Sequence, residues 1–204
     1  MSLSSTAYVP VAAQSAARSR TWRLAGYVYY TFICYVSIGL PLAVLPPFVH
    51  LRMGYSTVLA GLAISIQYIA TLLSRPWAGR ISDHLGAKIS VMWGMACCTA
   101  SGAFLIGAAL LLRVHWLSFA VLIASRLVLG VGESLGSTGA TLWGISSAGH
   151  EHTAKVIGLN GVSTYGGMAL AAPLGVILDQ QWGLGSIGLL TILIGAVRDR
   201  KSVV

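Results

Sequence analysis

The 204-residue chain is 56% hydrophobic and only 9% charged, with a mean hydropathy of +0.79, far from the roughly 25% charge of soluble domains. These values exclude an ordinary water-soluble domain and point to a polytopic membrane protein. The formal net charge of +8 does not signal nucleic acid, because no basic residues alternate with aromatics on one surface and no nucleic-acid motif occurs; it reads as a topology signal.

Residues 1–23 are rich in Ser and Ala, contain no acid and end in Arg18, Arg20 and Arg23. They read as a cytoplasmic N-terminal tail; a transit peptide has a similar composition. Six apolar segments follow at about 25–49, 57–78, 89–112, 117–146, 154–178 and 184–197, set against the ~20 apolar residues that cross the hydrocarbon as a helix. Five are long enough. The sixth has only about 14 residues before the charges at 198–201, so a shortened helix followed by a cytoplasmic tail over 198–204 is expected.

Lys and Arg concentrate on the cytoplasmic side of membrane proteins. With the N-terminus inside, Arg18, Arg20, Arg23, Arg75, Arg80, Lys88, Lys155, Arg198, Arg200 and Lys201 are cytoplasmic, Arg52 and Arg113 are outside, and Arg126 lies within the fourth segment. Ten against two sets both termini in the cytoplasm. The first segment carries Pro41 and the pair Pro46-Pro47, which remove backbone donors and predict a break near its outer end. Near the middle of the second lies Gln67, which needs a hydrogen-bond partner and so faces protein or a cavity.

Between the second and third segments stands Gly-Arg-Ile-Ser-Asp-His-Leu-Gly-Ala-Lys, residues 79–88, read as a charged turn. Gly79 permits close approach of a neighbouring helix, Asp83 offers its charge to a helix N-terminus or to Arg80, and Gly86 permits the reversal before Lys88.

The fourth segment contains Arg126 and Glu133, costly groups that by default mark function inside a membrane. Seven residues apart on a helix, they lie on nearly one face and ~10 Å apart along the axis, too far for a simple ion pair. Gly130 between them leaves room for a long side chain, a water or part of a solute. In the fifth segment the small residues at 158, 161, 166, 167, 171, 172 and 175 predict close helix packing. Cys34, Cys97 and Cys98 all lie inside apolar runs without a C-x-x-C pair, so they read as packing residues and neither a metal nor another cofactor is called for.

The spacing Gly79, Asp83, Gly86, Lys88 resembles the Gly-x-x-x-Asp-x-x-Gly-x-Lys/Arg turn between the second and third helices of the major facilitator superfamily. Arg126, Gly130 and Gly132 match that family's Arg-x-x-x-Gly-x-Gly motif of the fourth helix. The fifth segment is similar to the Gly- and Pro-rich helix of its proton antiporters, with two departures: Ala172 replaces the glycine before Pro173, and Gly175 comes one residue early. The resemblance covers residues 20 to about 197 and is nearest to bacterial arabinose-efflux and drug-efflux permeases. It implies an all-α fold of six transmembrane helices over 24–197, one half of a two-half transporter, itself a 3+3 inverted repeat.

It also implies proton-coupled efflux of a small-molecule substrate across the bacterial inner membrane. The candidate coupling and substrate residues are Tyr35, Gln67, Arg126, Glu133, Asn160 and Tyr165, and the 79–88 turn would act as a conformational switch. Gly130, Gly132, Pro173 and Gly175 would shape helix packing. A chain holding one half is expected to need the missing C-terminal half or a second copy as partner, leaving Asp83 without its usual contact and the Arg126 and Glu133 face open to lipid. Two other readings are a non-transporting assembly partner and an intramembrane enzyme. The enzyme would need a Ser and a His poised at one depth, and His50, His84, His115, His150 and His152 all fall in loops or at segment ends.

Overall fold

A computed structural model describes residues 11–196. Among the described residues all regular structure is helical: α1 (Val11–Leu42), α2 (Thr57–His84), α3 (Ala87–Leu110), α4 (His115–Ala148), α5 (Thr153–Trp182) and α6 (Leu184–Gly195). Five spans, the first running Gly26–Arg52, are long and apolar enough to cross a membrane. With 12 residues, α6 reaches only ~18 Å, short of the ~30 Å hydrocarbon core, as its length in sequence implied. The 198–204 segment lies outside the described residues.

The helix α1 starts at Val11 and therefore includes residues 11–23, which the sequence reading gave to a tail. Between Pro10 and Gly26 there is no helix breaker, and Ala12, Ala13, Ala16 and Ala17 favour helix. At the other end the prolines act as expected. After Leu42 the helix gives way to a turn, a short helical stretch Leu45–Pro47 and a π-helical segment Phe48–Arg52.

The 79–88 stretch differs from its expected form. Helix α2 runs on to His84, so Gly79, Arg80 and Asp83 lie on its last turns and only Leu85 and Gly86 form the reversal. Nothing in Gly79 forces a helix to stop, since its φ is not positive. Gly86 does, with φ +96°, a conformation that favours glycine.

Helix α4 is the axis of the unit, buried against α3, α2 and α1 by small residues. A Cβ at Gly94 of α3 would lie 2.6 Å from the Gly136 backbone nitrogen of α4, and one at Gly139 would lie 2.7 Å from the Ala87 carbonyl. The same device joins α3 to α6 through Gly102 and Gly188, and α5 to α1 through Gly167, Gly175 and Gly39. Between the helices the apolar core is unevenly placed. A large cluster including Leu40, Leu45, Phe48, Leu105, Leu122 and Ile187 fills the end that bears Arg52, and a smaller one around Tyr27, Val91 and Ala140 fills part of the opposite end. Cys34 and Cys98 meet in the middle with sulfurs 3.9 Å apart, buried packing residues as expected.

Candidate functional site: a buried polar seam beneath a cleft

The site is built on the crossing of α2 and α4. A Cβ at Gly130 would collide with the Gln67 carbonyl oxygen, and it would sit 2.8 Å from the Ala70 side chain. Gly130 is therefore a packing glycine. Of the three occupants the sequence left open beside it, a long side chain, a water or part of a solute, the structure has the side chain of Gln67, with the α2 backbone against Gly130 itself. Gln67 lies between the two ionisable groups of α4: its Nε2 donates to Glu133 Oε2 at 3.1 Å, and its Oε1 accepts from Arg126 Nη1 at 3.4 Å. An amide between an anion and a cation has one sensible orientation, oxygen toward the guanidinium and nitrogen toward the carboxylate. The Thr71 hydroxyl stands 3.1 Å from the same Glu133 oxygen and 3.1 Å from the Gly130 carbonyl.

On its other side Arg126 Nη2 donates to Ser125 Oγ at 3.4 Å, and Ser125 in turn pairs with Ser101 of α3, the hydroxyls 3.1 Å apart. One polar chain thus runs from Glu133 through Gln67, Arg126 and Ser125 to Ser101. Arg126 is 1% exposed and Glu133 6%, so these groups are enclosed by the unit's own helices. This corrects the expectation that they would open to lipid, because the stretch of α4 that bears them is covered by its neighbouring helices. The buried Arg126 Nε has no hydrogen-bond partner. Burying two charges costs several kcal/mol each, and one long hydrogen bond from each of Nη1 and Nη2 repays little of it.

Above this seam, toward the end that bears Asp83, lies an open cleft of about 500 Å³. Tyr35 enters it from α1, Asn160 from α5, and Arg75, Gly79 and Asp83 from α2. Ser137, Thr138 and Thr141 of α4 form its floor. Ser137 is four residues beyond Glu133, ~6 Å along the axis, so the floor of the cleft and the head of the polar seam are neighbouring turns of one helix. Asn160 is held from α1 by a 3.1 Å contact between Thr31 Oγ1 and its Oδ1, which leaves its NH₂ for other partners.

The structure divides the sequence candidates. Gln67, Arg126 and Glu133 share the seam, Tyr35 and Asn160 line the cleft, and Tyr165, 75% exposed on α5, joins neither. Among the described residues Asp83 and Arg80 form no ion pair, and the Lys88 ammonium lies 5.6 Å from the centre of the Trp143 ring. Pro173 is exposed, whereas Gly175 is buried against the Leu40 backbone. Gly132 packs on Cys97 and Gly94 of α3.

Three groups escaped the sequence reading. Thr71 follows Gln67 by four residues and so shares its face, a signal that was present. Arg75, grouped only with the cytoplasmic-side charges, lies nine residues before the end of α2 and lines the cleft. Arg52 and Asp179 form a bidentate pair at 3.2 and 2.9 Å, tying the extension of α1 to the end of α5 across a sequence distance that no local pattern reveals.

Residues 14–197 match the family described as Major Facilitator Superfamily. The chain is 51% identical over 177 residues to an uncharacterized MFS-type transporter of Burkholderia mallei (strain SAVP1), covering 87% of this chain and 44% of that protein. It is equally similar, with the same coverage, to one of Burkholderia pseudomallei (strain K96243). To an uncharacterized MFS-type transporter of Pseudomonas aeruginosa (strain LESB58) it is 50% identical over 188 residues, covering 92% of this chain and 47% of that protein. The chain spans about half the length of the curated relatives it matches.

Proposed function

The chain belongs to the major facilitator superfamily, and from that premise we propose that it forms one six-helix half of a secondary transporter that moves a small solute across a bacterial inner membrane by alternating access. The family makes it a multi-pass membrane protein of a transporter lineage rather than an enzyme. Our reading adds an N-terminus in the cytoplasm, proton-coupled efflux, and a second six-helix half or a second copy as partner. The observation that carries the coupling is the Glu133 carboxylate, buried, bridged to Arg126 by Gln67, and one helical turn below the cleft floor. An ionisable group buried in a membrane span is functional by default, and here Gln67 ties Glu133 to Arg126 directly beneath the cleft.

The partner half is supported by the flanks of the cleft. Leu72, Leu73 and Trp77 of α2 and Val162, Tyr165 and Leu170 of α5 are exposed, and a Cβ at Gly79 would meet nothing within 4 Å. These are surfaces a second half would cover.

The test is flux in proteoliposomes from a transport-competent form holding both halves, over a compound panel with and without a pH gradient. Glu133→Gln should lose gradient-driven flux and retain exchange, whereas Arg126→Ala should lose both. Unchanged gradient-driven flux in Glu133→Gln would assign the residue to structure. The 204-residue chain as an isolated monomer should move no solute, and a monodisperse monomer that does so would overturn the half reading. For orientation, a cysteine at exposed His84 should resist impermeant thiol reagents in intact cells and one at exposed Ser56 should react.

A further inference from the structure

The cleft contains a charge that the polar seam does not use. Arg75 lies within the span Thr57–His84, nine residues and ~14 Å of helix axis before its end, exposed and lining the cleft. The described residues give it no ion pair and no hydrogen bond. Asp83, the one acid of the lining, is eight residues further on, ~12 Å away along the same helix and nearer the mouth, and Glu133 is enclosed beneath the floor with Gln67 and Thr71 on its oxygen. The remaining polar lining is neutral: the Tyr35 hydroxyl, which also bonds Thr164, the hydroxyls of Ser137, Thr138 and Thr141, the last donating to the Ser137 carbonyl, and the amide of Asn160, whose oxygen accepts from Thr31.

We propose that, within the transport reading above on which this rests, the cleft receives a small hydroxylated organic anion, its carboxylate or phosphate seated on the Arg75 guanidinium and its hydroxyls on the side chains of α1, α4 and α5. The chemistry follows from the donor set. A guanidinium presents a planar fork of N–H donors that matches a carboxylate or phosphate in a bidentate way. Arg75 has no ion-pair or hydrogen-bond partner among the described residues, and an anionic solute supplies one during each occupancy. A cleft of about 500 Å³ is of the size that holds a small molecule. The hydroxyl-rich floor both donates and accepts, which suits a polyhydroxylated body better than an apolar one. Asp83 at the mouth would repel an anion from the rim and leave the inner position at Arg75 as the favourable one.

Charge selectivity can be measured without knowing the solute. In the purified chain carrying Thr138→Cys, the labelling rates of the anionic sulfonatoethyl and the cationic trimethylammonium-ethyl methanethiosulfonates are compared, each normalised to its rate with free mercaptoethanol; the chain without Thr138→Cys supplies the background of the native cysteines. The sulfonate should react about tenfold faster than the cation, in the range of electrostatic focusing by a charged cleft. Arg75→Gln should remove the preference, Arg75→Lys should keep most of it, and Asp83→Asn should increase it. Equal normalised rates with Arg75 present, or a preference that survives Arg75→Gln, would overturn the proposal. Phosphatidylglycerol added to the detergent solution separates the two sources of anion: labelling unaffected by the lipid supports a soluble anion, and loss of the preference would assign Arg75 to a lipid headgroup. The readout needs no turnover, so a chain that transports nothing can pass it and a working transporter can fail it.

Discussion

Where α4 crosses α2, Gly130 brings its backbone against Gln67; where α5 crosses α1, Gly175 does the same against Leu40. In the 3+3 inverted repeat of the family these two seams are counterparts, α1 with α4 and α2 with α5. Their fillings differ. The α1–α5 seam is closed by Gly39, Gly167 and Ala171, with neutral side-chain bonds from Thr31 to Asn160, from Tyr27 to the Val156 carbonyl and between Tyr35 and Thr164, and an outer pair, Arg52 with Asp179. The α2–α4 seam holds Gln67, Thr71, Arg126 and Glu133. Close backbone approach is thus what packing demands of both, and buried charge is an addition made in one. Apolar side chains of similar volume would be as stable as a buried charged set, or more so, so packing does not explain the α2–α4 filling, and the proposed coupling role is offered in its place.

Substitutions can break this comparison in order of expected size. Arg126→Ala should be the most damaging, about 3–5 kcal/mol, because it leaves Glu133 buried with less compensation; thermal unfolding in detergent should show it as a clear fall in Tm, and an unchanged Tm would mean that the charges are hydrated. Next come Gly130→Val and Gly175→Val, each expected to cost about 1–3 kcal/mol by overpacking. They should be equal within error if the seams are equivalent as packing, even though only Gly130→Val should disturb transport.

How much of this was legible in the sequence follows from the kind of information each feature needs. Run length alone located the spans, and prolines at 41, 46 and 47 located the break after α1, since both are local properties of the chain. Arg126, Glu133 and Gln67 were each conspicuous as polar groups in apolar runs. Their union was not, because it depends on the register of α2 against α4, which Gly130 sets by contact with Gln67. The same missing register hid the enclosure of Arg126 and Glu133, which one helix viewed by itself presents as an open face. Arg75 stands near the inner end of the 57–78 segment, and its place in the cleft was hidden because that depends on how α1, α4 and α5 pack around α2.

The smaller effects sharpen the contrast. Thr31→Val should cost about 1 kcal/mol, the worth of one hydrogen bond, with gradient-driven flux retained. Arg52→Gln should cost less than about 1 kcal/mol and lose even that at high salt, since the guanidinium side chain is 46% exposed and such pairs are weak.

The central claim is that Gln67 makes Arg126 and Glu133 one unit, and a double-mutant cycle in unfolding free energy tests it directly. Arg126→Met and Glu133→Gln, singly and together, are compared in the parent chain and in Gln67→Leu. The account predicts an Arg126–Glu133 coupling of about 1–2 kcal/mol in the parent and one within error of zero once Gln67 is replaced. Additive effects with Gln67 present, or a coupling that persists without it, would contradict the account.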